Sequence, residues 1–150
     1  MTIGAASAHA QAPQLQRFGF KPPKLPAVEV IQKGRDNGAA IAQKGKADVA
    51  RIIQQGIENT GMINQTGNNN EAAIRQLGRN NDASITQTGD NNAACVVQIG
   101  KDLSNDVVQT GGQSQGVIQT KKGSFTIPAQ LCSLDPVSRG YWQRLGFKGY

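Results

Sequence analysis

A β-solenoid is the fold this sequence predicts: an all-β stack of 11-residue strands, two to each 22-residue strand-turn-strand rung. Three observations predict it. An aliphatic residue returns every 11 positions from Val30, a glutamine follows it by two and a glycine by four. The glycine opens a G-x-x-N stretch, which is turn chemistry. Within a row Ala, Ile and Gln stand two apart, the period at which strand side chains share a face.

Composition narrows the function classes. The 150 residues include 17 Gln, 11 Asn and 18 Gly but one histidine, His9, and two cysteines. Chemistry built on a histidine base is disfavoured, and Cys95 and Cys132 lack the paired short spacings of a zinc site. No apolar run approaches the roughly 18 residues that cross a bilayer, so the chain is not expected to be an integral membrane protein. No catalytic, cofactor or metal site is predicted.

Residues 1–12, MTIGAASAHAQA, end in Ala8-His9-Ala10 and Ala10-Gln11-Ala12. This small-x-small form reads as the remnant of a secretory signal peptide. Residues 13–28 hold Pro13, Pro22, Pro23 and Pro26 among Arg17, Lys21 and Lys24 and read as an extended basic linker.

Residues 29–123 carry the rows. The aliphatic position is Val30, Ile41, Ile52, Ile63, Ile74, Ile85, Val96 and Val107. The glutamines are Gln32, Gln43, Gln54, Gln65, Gln76, Gln87, Gln98 and Gln109, and the glycines Gly34, Gly45, Gly56, Gly67, Gly78, Gly89, Gly100 and Gly111. After each glycine comes Asn37, Asp48, Asn59, Asn70, Asn81 or Asn92, then Leu103 and Ser114 in the late rows. A degenerate ninth row arrives one residue early, with Val117 and Gln119 but Lys121 in the glycine place. Residues 124–150 form a non-repeat tail.

An 11-residue period also suits a right-handed helical supercoil. The row contents reject it, because a glycine in every row costs a helix on the order of 1 kcal/mol each and β-branched residues weaken it further. Rows of this kind cannot bury an apolar face alone, so they must stack. The aliphatic residues and glutamines then share a thin dry core, while Lys44, Thr66, Arg75, Thr86 and Thr88 face water. An unpaired buried amide costs about 1 to 3 kcal/mol. In-register stacking removes that cost by joining the carboxamides into a ladder.

Rows of the form N-x-A-x-I-x-Q-x-G-x-x-N, 22 residues to the double row, resemble the curlin repeat of bacterial curli fibres over about residues 29–123. The resemblance implies a protein of a Gram-negative bacterium, secreted unfolded through a dedicated outer-membrane pore and polymerised outside the cell as functional amyloid for biofilm and adhesion. Its implied partners are copies of itself, another curlin subunit and the pore. Charge adds a separate reading: residues 1–51 carry +5 and 117–150 carry +4 around a middle of −3, and these basic ends suit gatekeeping against premature aggregation or contact with acidic matrix polymers. The basic linker, the tail, and Leu103 and Ser114 in the Asn column depart from the family pattern. They leave open a main fibre subunit, a minor nucleator or an anchor.

Cys95 lies between inward Ala94 and Val96, so it points outward, where Cys132 of the tail could reach it. Either a disulfide staples the tail to the side of the solenoid or two free thiols remain. Two hexapeptides, Gln16 to Lys21 and Gln143 to Lys148, agree at five of six positions and suit strand addition to a sheet edge. Other readings fit less well: one Thr86/Thr88 pair is too little for ice binding, and the rows lack the G-G-x-G-x-D of calcium rolls and the aromatics of a nucleic-acid platform. A monomeric capped solenoid adhesin is the main rival to the fibre subunit.

Overall fold

The computed structural model describes residues 27–129. The nine rows become nine strands, β1 (Ala27–Arg35), β2 (Gly38–Lys46), β3 (Val49–Ile57), β4 (Thr60–Asn68), β5 (Glu71–Arg79), β6 (Asp82–Thr88), β7 (Ala93–Lys101), β8 (Ser104–Thr110) and β9 (Ser114–Thr120), and a further strand, β10 (Gly123–Ile127), follows them. Odd rows build one sheet in the order β1-β3-β5-β7-β9-β10, and even rows build a second in the order β2-β4-β6-β8. The chain is a β-solenoid of two facing sheets, with consecutive rows on opposite walls.

Register follows the 22-residue rung. Ile52 pairs with Ile74, Gln54 with Gln76 and Gly56 with Gly78, all in parallel. Inward residues alternate with outward ones, so Ile52, Ile63, Ile74, Ile85, Val96 and Val107 form one core with the row alanines between the walls. That core is only as wide as two facing side chains, which is why alanine or glycine stands beside each large residue.

The corners hold two departures from the sequence expectation. Positive φ falls on the glycine and on the residue two after it, Asp36, Ala47, Glu58, Asn69, Asn80, Asn91 and Asp102, each between 54° and 59°. The Asn column that follows is free of this requirement and serves as a hydrogen-bonding column. In the last row the omitted residue lies before the strand, because Ala93 pairs with Ser114 and the backbone N–H of Gln113 donates to Asn92 Oδ1 at 3.1 Å. Gln113, and not Ser114, therefore holds the final place of that column.

Beyond the last row, Gly123–Ile127 turns back as β10 and pairs antiparallel with β9, Phe125 opposite Ile118 and Ile127 opposite Gly116. The outer face of this sheet also carries a small apolar cluster of Cys95, Val97 and Ile118, with Ala73, Ile99 and Ile127 packed against it.

Candidate assembly surface

Each glutamine sits on a strand whose alternation turns it inward, and stacking places the carboxamides one above another. On the first wall Gln32 Nε2 donates to Gln54 Oε1 at 2.7 Å, Gln54 to Gln76 and Gln76 to Gln98 at 2.9 Å, and Gln98 to Gln119 at 2.8 Å. On the second, Gln43 donates to Gln65 and Gln65 to Gln87 at 2.8 Å, and Gln87 to Gln109 at 2.9 Å. The second amide hydrogen crosses to backbone: Gln76 Nε2 also reaches Thr60 O at 2.8 Å and Asn81 O at 3.0 Å. These bonds satisfy the buried amides, from Gln54 to Gln109, at no more than 1% exposure.

The Asn columns run the other way. Asn59 Nδ2 donates back to Asn37 Oδ1 at 3.0 Å, Asn81 to Asn59 at 2.9 Å and Asn92 to Asn70 at 3.0 Å. Their other amide hydrogens tie down corner carbonyls, as Asn59 Nδ2 does with Gly78 O at 3.1 Å and Asn70 Nδ2 with Gly89 O at 2.9 Å. The glycines leave room for these corners to stack, since a Cβ on Gly56, at φ +129°, would run into the carbonyl oxygen of Gly78.

Three positions break the columns. Asp48 is buried in an Asn place, with Oδ1 accepting Asn70 N–H at 2.9 Å and Oδ2 without a hydrogen-bond partner. Asn105 stands in the alanine column above Ala83, its Oδ1 likewise buried and unpartnered. Leu103 ends one Asn ladder, because its backbone N–H donates to Asn81 Oδ1 at 3.2 Å and its side chain offers nothing further. On the corner surface, the amide of Asn80 donates to Asp102 Oδ1 at 2.9 Å and, with the nearby Lys101 and Arg79 charges, holds that carboxyl below the usual carboxylate range.

Outward positions are less uniform than strict alternation suggests. Lys44, Thr66 and Thr88 are exposed, whereas Thr86 and Arg75 are half-buried and Arg75 Nε finds no partner. Glu29 and Arg51, neighbours in the same outer column, form an ion pair. Cys95 is disulfide-bonded and buried on the outer face. The chain's one other cysteine, Cys132, lies outside the described residues, as do both hexapeptide copies.

The ends of the stack differ. Among the described residues β1 and β2 are both free edges at the N-terminal end, Val30 is 44% exposed, and no donor reaches Gln32 Oε1 or Gln43 Oε1, where the two ladders begin. At the C-terminal end Val107 and Val117 are 3% and 5% exposed. Among the described residues there is no cluster of His, Cys, Asp and Glu able to hold a metal ion.

A repeat solenoid held by in-register amide ladders is the class these features define. Residues 49–78, 56–89 and 78–111 each match the curlin associated repeat, so the chain carries curlin repeats over residues 49–111. No curated protein sequence matches it at a significant level.

Proposed function

We propose that the chain is a secreted structural subunit of extracellular, curli-type amyloid fibres that serve biofilm matrix and surface adhesion. The observation that carries this reading is the N-terminal end, which among the described residues holds two adjacent free edges and two amide carbonyls without donors, already in the register of the stack. A free edge of this kind recruits another strand, and a row with the same Ile, Gln and Gly spacing completes both ladders at once. The partner is therefore a chain with curlin rows. No helix among the described residues is long and apolar enough to cross a membrane. The family resemblance supports export through an outer-membrane pore, and the basic flanks support contact with acidic matrix polymers.

The test is co-assembly. Oxidised full-length protein, incubated alone and with purified curlin fibres, is expected to enter sedimenting material with a strand repeat near 4.7–4.8 Å along the fibre axis in at least one of the two mixtures. Protein that stays monomeric in both overturns the reading in favour of the capped adhesin.

A further inference from the structure

The two ends are unequal in height as well as in exposure. Among the described residues, sheet one carries β9 and β10 beyond the level of β7, while sheet two stops at β8, the level partner of β7. The C-terminal end is thus a step two strands tall, roughly 10 Å at 4.8 Å per strand. At the other end β1 and β2 lie on one level, joined by a corner of two residues, Asp36 and Asn37.

A second copy cannot sit flush on that step. If its β2 paired with the free edge of β8, its β1 would have to occupy the place β9 already fills. If its β1 paired instead with β10, its β2 would stand two strand spacings above β8. The column chemistry agrees, for one Asn ladder ends in Leu103 and the other in Gln113, whose Oε1 is engaged by Thr110 N–H at 3.1 Å.

Two copies cannot meet by their N-terminal ends either. Both glutamine ladders donate toward the C-terminus, so in the glutamine columns the N-terminal end presents carbonyl acceptors, Gln32 Oε1 and Gln43 Oε1. Face to face, acceptor meets acceptor, and Lys33, Arg35, Lys44 and Lys46 outnumber Glu29 and Asp36 on the rung. The required surface is one with free amide donors in the glutamine columns and both sheets ending on one level.

We infer that the chain is a one-ended subunit: its β1/β2 end docks on the C-terminal rung of a different curlin-repeat chain, one with an even number of rows, and its own C-terminal end stops the stack. This rests on the fibre reading above and deepens it. The single docking end also assigns the edge groups. Gly38 N–H bonds to Asn59 O, so by strand alternation the N–H of Ala39 points at the open edge.

Three proteins test it: the oxidised full-length chain, a variant ending at Gly112 that carries Cys95→Ser, and full-length Ala39→Pro. The truncated variant ends flush at β7/β8 and is expected to grow cross-β fibres by itself, whereas the intact chain alone is expected to give none. Added in small amount to growing truncated fibres, the intact chain should stop elongation at the fibre end that presents β7/β8 and leave the opposite end growing, and Ala39→Pro should lose that effect. Long fibres from the intact chain alone overturn the inference while leaving the fibre reading standing. A truncated variant that is β-structured by circular dichroism yet never assembles counts against the fibre reading. Should that variant fail to fold, purified curlin fibres replace it as the probe. Intact chain that leaves their elongation unchanged, or that lets them elongate further through itself, overturns the one-ended assignment.

Discussion

At position 48 an aspartate does half the work of an asparagine. Asn59 and Asn70, in corresponding places, donate from Nδ2 to Gly78 O and Gly89 O, and the carbonyl at the same offset from Asp48 is that of Gly67. Asp48 brings a second oxygen where a donor is required, and that oxygen is buried without a partner. Asp48→Asn is expected to stabilise the solenoid by about 1 to 3 kcal/mol, the usual cost of a buried unsatisfied group. A shift of the denaturant midpoint upward at constant slope checks it, and an unchanged midpoint contradicts it. Asp102 answers to its neighbour in a different way. Its lowered pKa means that any stability it contributes is present above the ordinary carboxylate range and fades as pH falls through the lowered value. Asn80→Ala, which removes the first cause, should bring the Asp102 titration back up toward that range in a carbon-detected NMR series.

Within a strand, the inward positions differ in how they fail. Ile74 and Gln76 are both fully buried in β5. Ile74→Asp places a charge with no partner in the dry core, a loss above about 4 kcal/mol. Gln76→Leu keeps the volume but leaves Gln54 and Gln98 each short of one bond, so it should slow assembly less than Ile74→Asp does. Equal elongation rates for the two variants, each made in the chain ending at Gly112 that carries Cys95→Ser, would contradict the burial of position 74. These columns were legible in the sequence because one residue type recurs at one phase. The corner was not: Asn69, Asn80 and Asn91 favour the left-handed conformation, but Ala47 and Glu58 occupy the same place and carry no such signal. Ala47→Asn should therefore stabilise by up to about 1 kcal/mol, read as a raised midpoint of thermal unfolding. β10 escaped for another reason, since Gly-Ser-Phe-Thr-Ile lies outside the 11-residue period and pairs in the opposite sense. The partners of the stack's ends were invisible as well, for they depend on how many rows each wall receives, and one omitted residue near Gly112 looks trivial on the page.

Over the whole molecule, the disulfide and the outer cluster are expected to grade stability from end to end. Cys95 anchors a disulfide on the outer face beside Val97 and Ile118, the cluster against which Ile127 of β10 rests. Reduction should raise amide exchange first in β9 and β10, with β3 to β6 protected as before, and a loss of a few kcal/mol confined to that end. Uniform acceleration through all rungs would show that the bond supports the entire stack. The 22-residue register reaches further, into how such a chain tolerates change in its length. Excising residues 60–81 would join Asn59 to Asp82, where Asn81 stands now, and every later row would keep its wall, its neighbours and its face. Losing one residue within a strand would instead turn each inward side chain beyond it toward water. For this architecture, whole-rung duplications and deletions are the mild mutations and single-residue slips the severe ones. Related chains should accordingly differ in length by multiples of the rung, with odd residues gained or lost at the corners alone.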